Sequence, residues 1–286
     1  MNPPRDIGAC SVATDTRGPR AALERGGVAV AGREWWMDVR FATSAAPGRP
    51  NEDLVLAGND FLILLDGVTS PPHVPTGCTH DPVWLVRTLG AALAQRLSAP
   101  GTRPLTEVLA DAIAAVRAAH GGTCDLSHPE SPSSTVVLLR ERPDLVDYLV
   151  LCDSALVLVG PGGEISRVVT DDRTAAMRGL TRAEVAGWRN RRGGFWVAST
   201  DPDAAREALT GALPRVPTTS VFACTDGISR LVDHYGYSWR EVIDLAAAGP
   251  MRGVVHAVRA AESHGPPPGS RKQHDDATAA LCTFLD

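Results

Sequence analysis

The sequence predicts an α+β fold in which antiparallel sheets and helices pack in layers. Two observations support this prediction: strand-like runs occur in blocks, and pairs of amphipathic helices separate those blocks. Parallel sheets arise from a regular alternation of strand and helix, which this pattern does not show. An apolar fraction of 44% over 286 residues is enough to bury a sizeable core.

The first strands of the folded domain follow a stretch of weak periodicity. We assign 1–33 to an N-terminal leader or arm and 34–286 to the folded domain. A strand is predicted over Trp35–Thr43. After it, a Gly-Asn-Asp turn predicts a hairpin between Leu54–Ala57 and Phe61–Leu65.

Helices are predicted where apolar residues recur at three and four positions. This spacing predicts helices over Asp81–Leu97 and Leu105–His120. The polar, arginine-rich stretch Asp171–Thr200 is expected to be a surface insertion, Asp201–Leu213 a helix, and Trp239–Ala261 one or two helices. Further strands are predicted at Thr135–Leu139, Leu145–Leu151, Leu156–Val159, Ile165–Val169, Val221–Cys224 and Ala277–Phe284.

Charge and cysteine usage limit the classes of partner. The net charge is -5 and the basic side chains form no dense patch, so we expect no nucleic-acid partner. No run reaches the roughly 18 apolar residues of a membrane span. The six cysteines lack paired short spacings, which favours a reduced, cytoplasmic protein. The oligomeric state is left open, with a monomer favoured.

Four segments place an aspartate directly beside an apolar strand. They are Asn51-Glu52-Asp53, Asp66-Gly67, Asp226-Gly227 and Asp275-Asp276. A single Asp-Gly is usually no more than a turn, but four such sites joined to strands are hard to explain as turns alone. Converging carboxylates repel one another, and divalent cations remove that repulsion. An all-oxygen ligand set selects Mg²⁺ or Mn²⁺ over zinc.

The order of these motifs resembles that of the type 2C metal-dependent protein phosphatases. The resemblance spans 34–286, and Thr170-Asp171-Asp172 is similar to the entry of that family's flap. It is carried, in order along the chain, by Asn51-Glu52-Asp53, Asp66-Gly67, Ser134-Thr135, Cys152-Asp153-Ser154, Asp226-Gly227 and Asp275-Asp276-Ala277-Thr278.

The resemblance implies a four-layer αββα sandwich, with two central antiparallel sheets flanked by helix pairs, and two metal ions at one end. Asp66 would bridge the ions and the Gly67 carbonyl would bind one of them. Glu52 would accept a hydrogen bond from water on a metal, and Asp153 would contribute to a weaker third ion. The remaining implied ligands are Asp53, Asp226 and Asp275.

The activity implied is hydrolysis of phosphoserine and phosphothreonine in proteins, by attack of a water that bridges the two metals. Arg49 resembles the arginine with which the family grips the phosphate, although it lies one residue closer to the acidic motif. Arg40 is the alternative for this role.

Three local departures from the family pattern bear on the site. The prolines of Val68–Pro72 follow the first Asp-Gly, so the lip of the cleft must differ. Arg230 stands where many relatives have an aspartate, which favours two ions without a strong third. His73, Cys78 and His80 could form a zinc site, but a fourth ligand is missing, so we interpret them as loop residues. His73 or His80 could also protonate the leaving group.

Three alternatives remain open. The substrate could be a small phosphorylated metabolite, because the altered lip and an arginine-rich insertion change the cleft. The chain could be a catalytically silent, phosphatase-like binding module. It could also be an esterase that uses Ser154, although a strand follows this serine where an esterase elbow needs a helix.

Overall fold

A computed structural model describes residues 36–68, 73–215, 220–266 and 272–285. The predicted N-terminal arm, 1–33, lies outside the described residues. The prediction of where the folded domain begins therefore stays a prediction.

The described strands form two five-stranded antiparallel sheets. They are β1 (Trp36–Ser44), β2 (Asp53–Ala57), β3 (Phe61–Gly67), β4 (Ser134–Glu141), β5 (Leu145–Leu151), β6 (Ala155–Val159), β7 (Ile165–Val169), β8 (Leu209–Pro214), β9 (Ser220–Cys224) and β10 (Ala277–Leu285). The first sheet has the order β1-β10-β9-β6-β7, and the second has the order β2-β3-β4-β5-β8. Every pairing in both sheets is antiparallel, as the sequence predicts.

Helices cover the outer face of each sheet. The described α-helices are α1 (Pro82–Leu97), α2 (Leu105–Ala119), α3 (Arg182–Trp188), α4 (Asp226–Asp233), α5 (Trp239–Ala248) and α6 (Arg252–Glu262). Helix α1 begins where the Asp81 carboxylate accepts a hydrogen bond from the Trp84 amide and Pro82 takes the first helical position. Both helices predicted in this region are confirmed.

Three buried clusters separate the four layers. One lies between the second sheet and helices α1 and α2, and it includes Leu65, Leu89 and Ile113. The central cluster joins the two sheets, and a third fills the space between the first sheet and helices α4, α5 and α6. The four-layer αββα sandwich, with helices on both outer faces, is therefore confirmed.

The helix predicted over Asp201–Leu213 is wrong. A short 3₁₀ helix, Pro202–Glu207, is followed by β8, which adds an edge strand to β5. The alanines and Pro202 favour a helical start, but Thr210 and Gly211 are poor helix formers. Gly211 also leaves room for the Tyr148 side chain, which a Cβ at this position would overlap. Tertiary pairing therefore determines this segment.

The insertion Asp171–Thr200 is only partly a surface element. It contains a 3₁₀ helix, Asp172–Met177, and helix α3, neither of which has a fully buried residue. Its later part turns inward, because Phe195 and Val197 pack against Cys152 in a small cluster of their own. The segment is thus fixed to the end of β5, next to the aspartate motifs.

In the part of the chain that the structure describes, no helix is long and apolar enough to cross a membrane.

Candidate metal centre

The hairpin of β2 and β3 places two of the predicted aspartates side by side. Asp53, the first residue of β2, lies opposite Asp66 in the antiparallel register. Asp66 is the last residue but one of β3, which ends at Gly67. It therefore lies within the strand and not after it. Strand register therefore fixes the relative position of these two carboxylates.

The first sheet supplies two more aspartates at the same end of the sandwich. Asp226 opens helix α4 immediately after β9, and Asp275 lies just before β10. Strands β9 and β10 are neighbours, and the Thr225 amide donates to the Thr278 carbonyl at 3.0 Å. The Thr225 hydroxyl also donates to the Asp53 carboxylate at 3.0 Å, which links the two sheets at this end.

Crowding of these carboxylates changes their protonation. Burial raises the pKa of Asp66 well above its ordinary value, and repulsion from Asp53, Asp226, Asp275 and Asp153 acts in the same direction. The carboxylates of five separate segments therefore lie close enough for Asp66 to be repelled by the other four. The sequence-based expectation that these segments converge agrees with this geometry.

Three further aspartates show the same effect. Burial raises the pKa of Asp53 to about 8, with added repulsion from the carboxylates of Asp276 and Asp226. Burial, followed by repulsion from Asp226, raises the pKa of Asp275 to about 6. The pKa of Asp226 is also raised, by burial first and then by Asp153. Such a group of acids is costly to bury in its ionised form unless cations compensate it.

One carboxylate oxygen has no protein partner. Asp53 is 6% exposed, and its Oδ1 atom is buried with no hydrogen-bond donor among the described residues. A buried acceptor without a donor is uncommon and calls for an explanation. A hard divalent cation fits this position, because the surrounding donors are carboxylate and carbonyl oxygens. The residues present therefore fit Mg²⁺ or Mn²⁺.

The two Asp-Gly motifs owe their glycines to close backbone contacts. A Cβ at Gly67 would lie 2.7 Å from the Glu52 carbonyl oxygen, which accepts a hydrogen bond from the Gly67 amide. A Cβ at Gly227 would overlap the carbonyl oxygen of Asp276. Both glycines thus allow neighbouring segments to approach beside the aspartates.

Asp276 organises the segment that carries Glu52. Its two carboxylate oxygens accept hydrogen bonds of 2.7 Å from the amides of Ala46 and Glu52. The sequence analysis named the Asp275-Asp276 pair but predicted no role for Asp276. Glu52 itself is half-buried, and its backbone is fixed on both sides by Asp276 and Gly67.

Two cations form ion pairs with Asp275, and the sequence analysis expected only one of them, Arg230, near the site. Arg230 donates to Asp275 Oδ2 at 3.2 Å and to the fully buried Glu262 at 2.9 Å. Lys272 forms an ion pair with Asp275 Oδ1. Lys272 is the only lysine in the chain, yet its place in a proline-rich loop gave no indication of this contact. Arg230 thus contacts the aspartate cluster through Asp275.

The two candidate arginines for phosphate binding lie in different places. Arg49 is exposed and lines a cleft of about 780 Å³ together with Asp66, Asp153 and Asp226. Arg40 instead donates to the Gly249 carbonyl at 3.2 Å, between α5 and α6 on the helical side of the first sheet. Arg40 as an alternative is therefore wrong, because its guanidinium is already bound to the outer helical layer.

The rest of this cleft is formed largely by the insertion. Its apolar wall consists of Met177, Val185, Phe195 and Val197, and Lys272 lies on its rim. The cleft therefore combines an acidic end with an apolar side.

Asp153 and Ser154 have different environments. Asp153 lines the cleft, and the preceding Cys152 has a φ of 71°, a left-handed conformation that glycine adopts more easily. Ser154 is fully buried, and its hydroxyl lies 2.6 Å from that of Thr135. A buried serine followed by strand β6 does not form a nucleophile elbow, so the geometry argues against the esterase alternative.

Comparison with known proteins agrees with this geometry. The protein phosphatase 2C family model matches residues 43–253. No curated protein matches the sequence. The solved structures described next share the fold and are distantly related in sequence.

This chain matches almost the whole length of three of these structures. The catalytic domain of the serine/threonine phosphatase PstP, in complex with two manganese ions, has 17% identity and a TM-score of 0.58 over 88% of this chain and 100% of that chain. PppA of Pseudomonas aeruginosa, a regulatory component of its T6SS, has 19% identity and a TM-score of 0.58, with coverage of 87% and 98%. The phosphatase MsPP of Mycobacterium smegmatis, in complex with cacodylate, has 22% identity and a TM-score of 0.54, also with coverage of 87% and 98%.

At these identities the structures show a shared fold. The family model spans most of the described domain, and the aspartate motifs on which the resemblance rests occupy one end of the sandwich. The chain therefore belongs to the protein phosphatase 2C family.

Proposed function

We propose that the protein is a metal-dependent phosphomonoesterase that dephosphorylates phosphoserine and phosphothreonine in proteins. The proposal depends on one observation: acidic side chains from both sides of the sandwich lie close together. Within this group, the buried oxygen Asp53 Oδ1 has no hydrogen-bond donor among the described residues. A buried acidic cluster of this kind is stable at neutral pH when cations neutralise it.

Two ions, Mg²⁺ or Mn²⁺, would be held by oxygen donors alone. Asp66 would bridge them, because it interacts with carboxylates from every other segment of the cluster. The Gly67 carbonyl would complete the coordination on the Asp66 side. The remaining ligands would be Asp53, Asp226 and Asp275.

When bound, two such ions supply Lewis acidity that activates a water for in-line attack on phosphorus. The chain's own residues then bind and orient the phosphate. Arg49, exposed on the cleft, would hold two phosphoryl oxygens through its guanidinium fork. Glu52, with its backbone fixed by Asp276, would accept a hydrogen bond from the attacking water.

The leaving alkoxide would take its proton from solvent. Among the described residues that line the cleft none is a histidine, which gives no support to His73 or His80 as the proton donor. The cleft is open, so water reaches the leaving group directly.

The ion pair between Arg230 and Asp275 supports two firmly held ions without a strong third. A guanidinium beside the site disfavours an additional cation by repulsion. Asp153 would contribute only to a weak third site. Metal titration by calorimetry, or anomalous scattering, that detected three well-occupied sites would contradict this part of the proposal.

The cleft is compatible with a phosphorylated side chain, and its apolar wall favours an organic group over free phosphate. Its volume of about 780 Å³ also admits a small phosphorylated metabolite, the second candidate substrate. PstP, whose structure was solved with two manganese ions, is a serine/threonine phosphatase, and this favours phosphoprotein for the present chain.

Hydrolysis of p-nitrophenyl phosphate by the purified full chain tests the proposal. We expect turnover with Mn²⁺ or Mg²⁺, none in excess chelator, and recovery when the ion is restored. Asp226→Asn is the inactive control. Absence of turnover with either ion at every pH would instead favour a silent binding module. Comparing phosphoserine and phosphothreonine peptides with a panel of sugar and nucleotide phosphates would then separate the two substrate classes.

A further inference from the structure

Two cysteines and two histidines from separate loops gather on the second-sheet side of the molecule. Cys78 and His80 lie in the loop between β3 and α1, where the sequence analysis predicted loop residues. His120 directly follows helix α2, and Cys124 lies four residues further along. The chain thus brings together a Cys-x-His pair and a His-x₃-Cys pair, which sequence spacing alone did not connect.

The ligand atoms of Cys78, His80 and Cys124 are spaced as they would be around a single ion, and His120 lies further out, within 4.8 Å of Cys78 and His80. The Sγ atoms of Cys78 and Cys124 are 3.2 Å apart, and His80 Nδ1 lies 3.5 Å from the first and 3.4 Å from the second. Tetrahedral zinc, with bonds of about 2.3 Å to sulfur and about 2.0 Å to nitrogen, spaces its ligand atoms roughly 3.3–3.8 Å apart. One ring nitrogen of His120 lies within 4.8 Å of the ligand atoms of Cys78 and His80.

His120 is oriented as a metal-binding histidine. It is 3% exposed, and its Nδ1 lies 2.9 Å from the Val116 carbonyl oxygen, one helical turn earlier. A carbonyl oxygen can only accept, so Nδ1 carries the proton and Nε2 has its lone pair available. A ring N–H bound to a backbone carbonyl is the usual outer support of a metal-binding histidine.

Hydrogen-bonding groups lie on one side of the two sulfurs. The amide of His80 donates to Cys78 Sγ at 3.3 Å. The hydroxyls of Thr79 and Thr123 each lie 3.7 Å from Cys124 Sγ. On the other side, the Trp84 ring stacks on His80 with 3.9 Å between centroids and meets His120 edge-on at 4.7 Å. One side of the cluster is thus polar, and the other is closed by an aromatic wall.

We propose that Cys78, His80, His120 and Cys124 bind one zinc ion in a structural, tetrahedral Cys₂His₂ site. Four protein ligands leave no position for water or substrate, which is the property of a structural zinc site. Binding converts two thiols to thiolates and releases two protons, while both imidazoles stay neutral. His73, the third residue of the sequence-based zinc hypothesis, is exposed and is not part of this group among the described residues.

The ion joins two loops that border the phosphatase cleft. The first loop starts at Val68, directly after the Asp66-Gly67 motif, and Val68 itself lines the cleft. The second loop ends at Ser133, whose carbonyl accepts from the Val68 amide at 2.9 Å. Another hydrogen bond, from Asp125 to the Gly77 carbonyl at 2.7 Å, already connects the loops near the cluster. Zinc would therefore hold together two loops that are hydrogen-bonded to each other at Val68 and Ser133, without taking part in hydrolysis.

The two proposed metal sites have different ligand atoms, so metal binding at each can be measured separately. The aspartate cluster offers hard oxygen donors, whereas the second cluster offers sulfur and nitrogen, which favour zinc. Co²⁺ is a suitable probe for both. In a tetrahedral thiolate site it absorbs strongly in the red and shows a sulfur-to-cobalt charge-transfer band in the near ultraviolet, whereas in an octahedral carboxylate site it absorbs weakly.

The test is a Co²⁺ titration of the reduced, metal-free full chain, followed by competition with Zn²⁺. We expect both absorption features at one equivalent of thiolate-bound cobalt, and their loss when Zn²⁺ is added. Cys78→Ser and Cys124→Ser should each lose the charge-transfer intensity of one sulfur, and His120→Ala should weaken binding at least tenfold. Asp226→Asn should keep the full spectrum, because it alters only the aspartate cluster.

Two variants serve as matched controls. Cys282→Ala removes a buried thiol from β10, and His264→Ala removes an exposed imidazole after α6, so both should leave the spectrum unchanged. Absence of the thiolate bands in reduced, folded protein would overturn the proposal. So would bands that persist unchanged in both Cys78→Ser and Cys124→Ser. A Cys78–Cys124 disulfide that forms in air, in a chain that when reduced takes up no thiolate-bound cobalt, would assign the pair to redox chemistry instead.

Discussion

Asp66, in the second sheet, and Asp226, which directly follows the first sheet, lie close enough for their carboxylates to repel each other. Burial raises the pKa of both carboxyl groups, and their mutual repulsion raises that of Asp66 further. Since burial also raises the pKa of Asp53 to about 8, the metal-free cluster retains a proton at neutral pH. Cations that bind at neutral pH must displace it, so metal binding and proton release are coupled at this site.

Replacing Asp66 should abolish most activity without unfolding the protein. We expect Asp66→Asn to lower kcat/KM at least ~100-fold, since losing even a group that supports a metal ligand costs about 10–100-fold. The fold should persist because the amide keeps the shape of the carboxylate and removes a repelling charge. Steady-state kinetics and circular dichroism measure the two effects. Asp60→Asn, at an exposed hairpin position, is the control, and a folded Asp66→Asn with full activity would exclude the bridging role.

Stability of the metal-free protein should fall as the pH rises. The pKa of Asp53 is about 8 in the fold, against about 3.9 in an unfolded chain. Between these values the folded state binds more protons than the unfolded state, so the free energy of unfolding decreases from about pH 4 to pH 8. Urea denaturation in excess chelator at several pH values measures this slope.

The same experiment has an internal control. Asp226→Asn should flatten the slope, because it removes one of the charges that raise the pKa of Asp53. Added Mn²⁺ should restore stability at pH 8, by about 2.7 kcal/mol at a hundred times its Kd. Stability that is independent of pH in chelator would contradict the raised pKa values.

We expect Arg49 to bind phosphate through two parallel hydrogen bonds of its guanidinium group, and not through its charge alone. We expect Arg49→Lys to lower kcat/KM for p-nitrophenyl phosphate roughly 10–100-fold, because a charged hydrogen bond contributes about 1.5–3 kcal/mol. Arg87→Lys, at an exposed position of α1, should leave the kinetics unchanged. If both variants behave like the unaltered protein, Arg49 is a solvated surface residue.

Removing Arg230 should destabilise the fold. Its guanidinium pairs with Glu262, whose side chain is 0% exposed, and with Asp275. Arg230→Met leaves these carboxylates without that partner, and breaking a buried pair in this way costs about 3–5 kcal/mol. Urea denaturation measures the loss. The double variant Arg230→Met/Glu262→Met should recover much of it, and a single variant that costs less than about 1 kcal/mol would show that the pair is not structural.

A methyl group at Gly227 should disturb the site directly. The added Cβ in Gly227→Ala meets the Asp276 carbonyl, and overpacking of this kind costs about 1–3 kcal/mol. Because this contact lies between Asp226 and Asp275, we expect activity to fall as well. Gly187→Ala, in helix α3 with open space around its Cβ, should be neutral or slightly stabilising. Equal behaviour of the two variants in thermal unfolding and turnover would contradict the close contact.

Much of the fold could be predicted because its pattern is local. The spacing of Leu85, Leu89 and Leu93 identifies α1, and all three are buried. The hairpin turn fixes the register that places Asp53 opposite Asp66. By contrast, β8 forms because β5 offers an edge, and helix α4 escaped prediction because it starts at an Asp-Gly motif that also suits a turn.

The site was predictable in composition but not in its supporting contacts. Each aspartate stands beside its own apolar strand, so it could be found without long-range information. Glu262 meets Asp275 through folding, and Lys272, although only three residues before Asp275, stands in no recognisable motif. The partners of Cys78 and His80 lie about 40 residues further along the chain, which is why the fourth ligand was missing from the sequence.

The acidic centre draws its members equally from the two halves of a sandwich. Asp53 and Asp66 belong to one sheet, and Asp226 and Asp275 flank strands of the other. An apolar layer that contains Leu64, Ala223 and Phe284 lies between the two sheets. An ion with ligands from both sides stabilises the packing of the two sheets, and any change that separates the sheets lowers the affinity for the ion. The affinity for the ion therefore depends on how well the two sheets pack. A substitution in the buried layer between them is expected to abolish activity even when every acidic residue is unchanged.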